Sequence, residues 1–532
     1  MKKSIFAILG VSAAMVLGLS SCVGDLNVTP IDENIQLPKD VLKDQDAFKA
    51  LLAKCYQGLC CSSSFGPDGG PDIDGVDGGY GQYMRAIVNL QEVSTDVATC
   101  CWNDGNLADI HNMTWNSSNE FVLSMYYRIF YQIGLCNEFI RQSNATDIEG
   151  YTDKAAYIAE ARALRLLSYY HAIDMFGNIP FSTEENSVGS TGPEQKMRPD
   201  LFDWMVTEAQ SLLDGSDLAA VGQNEYGRAD KGLVQMILAK LYLNAEVWKG
   251  EAMYDKCAAL CETIISEYPL HTNWADLFMA DNHLWTKNTN YGGDELIFVA
   301  PQDGLTLQSY GSTNFLVFAS TWSVAGDDTR TMDAAGDMGI SSGWSGLSLT
   351  GTFTSKFADN DARATFFKGG FDQYVDQIRD DVGASNGYKS MKFRNVNHDG
   401  TAAQAAGFVD IDFPVFRSAD AYLMYAECAA RGAADKDKGL TYLNKIRHRA
   451  NLDNLTTYTK EDVLDERARE LYFEGHRRQD LVRFGLYTSG DYLWEFKGGV
   501  AGGAAVDSHY NLYPLTSGDT NANGNLIQNE GY

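Results

Sequence analysis

Cys22, near the start of the chain, lies in a sequence pattern that predicts lipidation of its thiol. Two lysines open the chain, an apolar run reaches Leu19, and two serines precede Cys22. This pattern is typical of a bacterial lipoprotein signal, in which the new N-terminal sulfur carries the diacylglycerol. We therefore expect a signal peptide over residues 1–21, a lipid anchor on Cys22 and a tether over residues 22–40. The alternative is an ordinary signal peptide with a chance cysteine.

The other cysteines show no metal-binding pattern, and several are expected to be buried in the core. Ten cysteines become nine once Cys22 is lipidated, so at least one of them is unpaired within the chain. An exported protein normally forms disulfides, but the sequence leaves open the redox state of the adjacent pairs 60–61 and 100–101. No CxxC pairs with a second CxxC or with closely spaced histidines, so no zinc site is predicted. Four cysteines in apolar helical patterns are expected to be small core residues: Cys136, Cys257, Cys261 and Cys428.

Carboxylates are abundant but form no catalytic motif. Glycoside hydrolysis needs only two carboxylates across a cleft, and the chain has 71 acidic residues, so their number alone excludes nothing. GxSxG, HExxH, the P-loop and the Rossmann fingerprint are all missing from the sequence. The acidic run at 71–79, PDIDGVDGG, lacks the spacing and the final glutamate of an EF-hand. These observations do not favour an enzyme.

The composition favours a neutral ligand. A net charge of −29 and a pI near 4.6 argue against nucleic acid and against charge-driven adhesion to anionic lipid. Beyond the leader, no stretch approaches the roughly 20 apolar residues of a membrane-spanning helix. The 9 Trp, 28 Tyr and 25 Phe residues supply material for a core, for a ligand platform, or for both.

Helical periodicity predicts the scaffold that must position any site. Residues 154–176 have apolar side chains at helical spacing and end at a Gly and Pro segment. The segment 227–248 and a second helix through Ile265 form a hairpin of tetratricopeptide length. Residues 421–432 and 438–450 repeat that plan, and 462–484 is predicted as one long charged helix. We expect a mostly α fold of stacked helix pairs.

Long segments rich in Gly, Asp, Asn and Ser separate these helices. Short β-like runs occur in them, such as residues 296–299. Loops held on a rigid scaffold commonly carry binding groups, so we expect the functional residues there. The segments are 62–82, 183–197, 268–294, 302–350 and 368–411.

Three blocks in a fixed order identify a family. They are AEARALR at 159–165 with FGNIP at 176–180, PVFR at 414–417 with AYLMYAE at 421–427, and ERAREL at 466–471 with EGHRRQDLVRFG at 474–485. Together with QNEGY at 528–532, they resemble the SusD/RagB family of outer-membrane nutrient-binding lipoproteins. The resemblance implies a tetratricopeptide-like scaffold with ligand-binding loops. It divides the chain into an N-terminal part, 41–267, and a C-terminal part, 268–532, that carries those loops.

The charged block has its own physical interpretation. Glu466, Glu470 and Glu474 are four residues apart, with several arginines beside them. Paired carboxylates of this kind could be taken for an acid and a base. We instead expect ion pairs along and between helices.

Within the family, several loops resemble those of the starch-binding founding member. The matching segments are 71–75, 95–96, 302–304, 310–311, 343–345, 493–494 and 497–499. The resemblance implies a glycan site made of Arg85, Trp102, Asn106, Tyr310 and Trp344. The three rings would stack on the apolar faces of glucose, and Arg85 and Asn106 would bond hydroxyl groups.

Two departures and one alternative bear on that site. The stretch from Trp102 to Asp109 is one residue longer than in the starch-binding member, which leaves Gly105 as the alternative to Asn106. Cys100 replaces an expected aromatic residue. For Trp102, Tyr310 and Trp344 the alternative is a place in the hydrophobic core. Three tryptophans in helical patterns are expected to be core residues: Trp115, Trp204 and Trp248.

The resemblance also implies calcium as a structural ion. Similar proteins contain calcium, and here the candidate ligands are Asp281, Asp410 and Asp412. Oxygen ligands of this kind suit calcium. No cofactor for catalysis is expected.

The functional expectation is therefore capture without chemistry. The resemblance implies a cell-surface lipoprotein of the outer membrane that binds starch-like α-glucans and passes them to a SusC-like TonB-dependent transporter. A first alternative is a related binder of another glycan. A second is a tetratricopeptide-type assembly protein that contacts only proteins, for which Tyr310 and Trp344 would be dispensable.

Overall fold

The computed structural model describes residues 41–186, 192–287, 295–323, 330–379 and 385–532. The predicted leader, Cys22 and the tether lie outside these residues. Helices dominate the described chain, and they are α1 (Gln45–Cys60), α2 (Tyr83–Val88), α3 (Ala108–Asn112), α4 (Glu120–Ala145), α5 (Lys154–Met175), α6 (Arg198–Asp214), α7 (Lys231–Lys249), α8 (Tyr254–Glu267), α9 (Ser312–Ser320), α10 (Ala334–Met338), α11 (Gly351–Thr354), α12 (Ser418–Ala430), α13 (Lys436–Arg449), α14 (Lys460–Leu471), α15 (Arg477–Arg483) and α16 (Ser517–Ala522). The mostly α prediction is confirmed.

The predicted helix hairpins are present. In the pair α7 and α8, Asp230 caps the first helix by accepting from the Gly232 amide, and Gly250 ends it with a φ of 79°. A left-handed backbone is a common helix end, and glycine adopts it without steric cost. The pair α12 and α13 packs beside α8 and α14. Helix pairs therefore stack side by side, as the sequence indicates.

Short strands occur among the connecting segments. They are β1 (Ala98–Cys100), β2 (Ile179–Pro180), β3 (Gln195–Lys196), β4 (Leu296–Ala300), β5 (Leu347–Leu349), β6 (Phe366–Phe367), β7 (Lys389–Ser390) and β8 (Phe413–Arg417). They form four antiparallel pairs, β1 with β5, β2 with β3, β4 with β8 and β6 with β7. The predicted β-like run 296–299 is β4. Two of these pairs, β1 with β5 and β4 with β8, join parts of the chain that are remote in sequence.

The main hydrophobic cluster runs from Phe48 in α1 to Leu526 near the C-terminus. Trp115 and Trp248 are buried in it as predicted, while Trp204 is half-buried against the rings of Tyr169 and Phe181. The nine cysteines of the described chain are buried, and the four predicted core cysteines are among them. Within the described residues, no helix is long and apolar enough to cross a membrane. The predicted domain boundaries stay a prediction.

The prediction of one helix over 462–484 is wrong. The helix ends at Leu471 and restarts at Arg477, because Phe473 and Gly475 have φ values of 63° and 81°. Glu474 therefore lies in the turn and not on the helix of Glu466 and Glu470. The turn is held by Glu92, whose Oε1 accepts from the amides of Gly475 and His476 at 2.8 and 2.9 Å.

The predicted ion pairs exist, and they are buried. Arg417 contacts Glu295, Glu470 and Glu474 at 2.8, 2.7 and 2.6 Å, and all four side chains are at most 1% exposed. We call this group the charged cluster, and Arg363, Arg449, Lys392 and Glu466 extend it. Its members come from β8, α13, α14 and several loops. Buried charges are tolerated here because each is paired and hydrogen-bonded.

We predict that Glu470→Gln destabilises the protein by about 3–5 kcal/mol, because it leaves buried arginines without a compensating charge. Urea denaturation of the purified variant measures this change. The matched control is Glu461→Gln on the same helix, whose carboxylate is 64% exposed and 3.8 Å from Lys460. The control is expected to change stability by about 0.5 kcal/mol or less. Equal effects of the two variants would contradict a structural role for the cluster.

We also predict that the stability of the folded chain depends on pH through Glu92. Burial raises the pKa of Glu92 from 4.5 to about 7. The Glu92 carboxyl therefore binds its proton more tightly in the folded chain than in the unfolded chain. Its contribution to the free energy of unfolding is lost as pH rises from 4.5 towards 7. Glu92→Gln removes that decline, so its stability relative to the natural chain should increase through this window and level off above it. A constant difference in denaturation free energy across the window would refute the assignment.

Candidate functional site

Trp102 and Trp344 are brought together by the β1–β5 ladder. Cys100 pairs with Leu347, and beyond this pair the Cys101 amide donates to the Gly346 carbonyl at 2.9 Å. The Trp102 indole Nε1 then donates to the Trp344 carbonyl at 3.2 Å, and the two rings lie 6.3 Å apart at 52°. The antiparallel pairing thus places two rings side by side although 242 residues separate them in sequence.

The approach of the two rings depends on a glycine. A Cβ on Gly346 would lie 2.4 Å from Cε2 of Trp102, which is far inside van der Waals contact. The loop of Gly346 is also fixed to the end of α9. The amides of Trp344 and Gly346 donate to the carbonyls of Phe318 and Ala319 at 2.7 and 2.8 Å. The Trp344 ring packs on the Phe318 ring at 4.8 Å.

Gln82 connects Arg85 to the segment that carries Tyr310. Its Oε1 accepts from the amides of Arg85 and Ser312, both at 2.9 Å, so it links the start of α2 to the start of α9. Its Nε2 donates to the Leu59 carbonyl at 2.7 Å. Arg85 is thereby positioned beneath the rings, with Nη1 3.5 Å from the Tyr310 carbonyl.

Tyr310 continues the row of rings. Its ring lies 6.2 Å from that of Trp344 at 58°, and its hydroxyl donates to Asp68 Oδ1 at 2.8 Å. This hydrogen bond to a carboxylate raises the pKa of Tyr310. Trp102, Trp344 and Tyr310 are all half-buried and not sealed in the core. We call these three residues the aromatic arc.

Arg85 is a buried cation with unused hydrogen-bonding capacity. It is 7% exposed, and its guanidinium carbon lies 4.3 Å from the Phe315 ring centre and 5.5 Å from that of Trp102. Its Nε has no hydrogen-bond partner among the described residues. Burial accordingly lowers its pKa. Such a group is costly in the free protein and is poised to donate to a ligand.

Asn106 is placed differently from the other four predicted residues. Its Oδ1 accepts from the Glu120 amide at 3.0 Å, and its carbonyl accepts from Asn119 at 3.0 Å, so it holds the start of α4. The alternative residue, Gly105, accepts from Arg379 through its carbonyl at 3.2 Å. Among the described residues, no contact joins Asn106 to the aromatic arc. Cys100 is buried in β1 and adds no ring.

The three aspartates predicted as calcium ligands each accept a hydrogen bond from a backbone amide. Asp281 accepts from the His398 amide at 2.9 Å, Asp410 from the amides of Gly304 and Gln404 at 2.8 Å, and Asp412 from the Gln302 amide at 2.9 Å. No group of three or more His, Cys, Asp or Glu side chains in the described chain could hold a metal ion. Oδ2 of Asp412 has no hydrogen-bond partner among the described residues, and structural calcium stays a prediction.

Other residues of the site were not predicted. Phe315 and Phe318 lie under the arc from α9, and Phe408 packs on Tyr310 at 5.3 Å. Phe315 and Phe318 are themselves core residues, 0% and 3% exposed, and the arc rests on them. The sequence signal for Phe408 is a single aromatic residue after Gly407 in a predicted loop.

Comparison with known proteins places this geometry in a family. The profile of the SusD family matches residues 325–532. The chain is 32% identical to the starch-binding protein SusD of Bacteroides thetaiotaomicron, over 98% of this chain and 97% of that protein. These findings confirm the resemblance drawn from the sequence.

Solved structures agree with the fold. A SusD superfamily protein from Parabacteroides distasonis matches with a TM-score of 0.68 at 20% identity, over 92% of this chain and 99% of that one. Surface glycan-binding protein A of Bacteroides thetaiotaomicron, in complex with laminarihexaose, matches with a TM-score of 0.67 at 18% identity, over 92% and 100%. SusD and surface glycan-binding protein A are both named as binding proteins, in agreement with the prediction that the chain is not an enzyme. The chain belongs to the SusD family.

Proposed function

We propose that this chain is a cell-surface lipoprotein that binds starch or related α-glucan oligosaccharides. It would pass them to a SusC-like TonB-dependent transporter in the outer membrane. The observation that carries the proposal is the aromatic arc above Arg85, a row of half-buried rings beside a buried cation with free donor capacity. Sugars present both apolar ring faces and hydroxyl groups, and this site offers a partner for each.

The shape of the arc favours a helical glycan. Trp102 and Trp344 are inclined by 52°, and Trp344 and Tyr310 by 58°. Rings turned in this way form a curved platform, which suits an α-glucan better than a flat β-glucan. The 32% identity to a protein named for starch binding supports the same choice.

The net charge is consistent with an uncharged ligand, and the leader with a position at the membrane. A net charge of −29 suits an uncharged ligand. The predicted lipid on Cys22 would hold the protein at the membrane, and several weak contacts on one long glycan would add avidity. Release of the glycan to the transporter would follow a hinge opening of the kind that lids undergo.

We predict that Trp344→Ala abolishes the retardation of this protein in an amylopectin affinity gel, because it removes the central ring of the arc. Trp204→Ala is the matched control, a half-buried tryptophan packed on Tyr169 and Phe181. It should be retarded like the natural chain. Retardation by laminarin and not by amylopectin would show that the ligand is another glycan and not an α-glucan. Full retardation of Trp344→Ala would contradict the site and favour the protein-assembly alternative.

We predict that Arg85→Met weakens glycan binding about tenfold or more, because hydrogen bonds from a charged donor are lost. Its melting temperature should stay the same or rise, since a buried cation without full hydrogen bonding is removed. Isothermal titration and thermal denaturation measure the two effects.

Arg477→Met is the control for that substitution. Arg477 is equally buried but is paired with Asp96 at 2.7 and 2.9 Å, so its loss should lower stability. If Arg85→Met lowered the melting temperature as much as the control does, Arg85 would be structural. Unchanged binding by Arg85→Met would remove it from the site.

A further inference from the structure

A fourth ring extends the aromatic arc beyond Tyr310. The rings of Tyr310 and Phe408 lie 5.3 Å apart at 40°, and Phe408 is half-buried like the other three. We propose that Phe408 forms a further glycan subsite, which takes the additional sugars of a longer oligosaccharide. This inference rests on the proposed glycan-binding function.

The spacing of the four rings supports a continuous platform. Centroid distances along the row are 6.3 Å for Trp102 to Trp344, 6.2 Å for Trp344 to Tyr310 and 5.3 Å for Tyr310 to Phe408. Each ring is inclined to the one before it, by 52°, 58° and 40°, so Phe408 extends the row by one more tilted ring. A glycan that follows Trp102, Trp344 and Tyr310 would reach Phe408 next.

The segment after Phe408 is fixed to the helix that follows Tyr310. The Val409 amide donates to Asn314 Oδ1 at 3.2 Å, and Thr313 Oγ1 donates to the Ile411 carbonyl at 2.5 Å. Asn314 and Thr313 belong to α9, which begins two residues after Tyr310. Phe408 and Tyr310 are thus positioned by one element, and their packing does not depend on a free loop.

Asp410 fixes the other side of this arrangement. Its Oδ1 accepts from the Gly304 amide and its Oδ2 from the Gln404 amide, both at 2.8 Å, so one carboxylate links the two loops. Gly304 allows the close approach, since a Cβ there would lie 2.7 Å from the Phe408 carbonyl. Asp410, predicted as a calcium ligand, is a positioning residue for Phe408.

The same loop is attached to the segment that leads to Trp344. The Ser341 amide donates to the Ala406 carbonyl at 2.9 Å, and Asn395 Nδ2 donates to the Ala405 carbonyl at 2.7 Å. The backbone before Phe408 is therefore as well defined as the backbone after it. Pre-formed positions of this kind reduce the ordering cost of binding.

The chemistry of the fourth ring predicts a dependence on chain length. Phenylalanine offers an apolar face and no hydrogen bond, whereas Arg85 offers charged donors between Trp102 and Tyr310. A short oligosaccharide held by Arg85, Trp102 and Trp344 would not reach Phe408. Longer oligosaccharides would gain affinity from it.

Isothermal titration of the purified full chain with malto-oligosaccharides, from maltose to maltoheptaose, tests the proposal. Phe408→Ala should weaken binding of the longest members about fivefold and leave the shortest members that bind unchanged. Phe181→Ala is the matched control, a half-buried phenylalanine packed on Tyr169 at 5.4 Å. It should bind every length like the natural chain.

A second variant tests the positioning role of Asp410. Asp410→Ala should reproduce the length-dependent loss, and adding Phe408→Ala should cause little further loss, because both changes act on one subsite. Melting temperatures confirm that each variant is folded.

Two outcomes would contradict the proposal that Phe408 forms a subsite. One is that Phe408→Ala binds all lengths like the natural chain. The other is that it weakens all lengths equally, which would mean that Phe408 only supports Tyr310. A natural chain that binds neither malto-oligosaccharides nor laminari-oligosaccharides would overturn the proposed function together with its extension.

Discussion

The architecture depends on charges that are paired out of contact with water. Arg417 joins three carboxylates from different segments, and nearby Arg477 holds Asp96 through two nitrogens at 2.7 and 2.9 Å. Desolvating such groups is expensive, and only complete pairing offsets the cost. The pairs therefore tolerate few alternative packings of the helices and loops that supply them, which gives the scaffold a defined geometry.

The buried pair of Arg477 and Asp96 is linked to the aromatic arc through a few residues. Asp96 lies two residues before β1, and its carbonyl accepts from Thr350, which directly follows β5. The buried pair with Arg477 thus fixes one end of the ladder, and Trp102 and Trp344 lie together at its other end. Rings placed by a ladder and by the end of a helix keep their spacing without a ligand. A rigid platform of this kind loses little conformational freedom on binding.

The site also contains features that do not serve stability. Arg85 is buried with an unpartnered Nε, and Gly346 and Gly304 stand where a side chain would collide with Trp102 and with the Phe408 carbonyl. Asp410 and Asp412 use their carboxylates on backbone amides of the loop that leads to Tyr310. These hydrogen bonds organise the loops around the arc.

The sequence by itself determined the helix pairs through local periodicity and the family through its motifs. Four of its five predicted glycan-site residues, Arg85, Trp102, Tyr310 and Trp344, lie together in the structure, and their role in binding stays a prediction. The sequence also indicated that Glu466 and Glu470 take part in ion pairs. Only the tertiary structure decided that the helix breaks at Phe473, that Asn106 serves the start of α4, that the aspartates bind amides, and that Phe408 joins the arc. The reason is range: apolar spacing acts within a few turns of one helix, whereas Trp102 meets Trp344 across 242 residues through a ladder that no local pattern encodes.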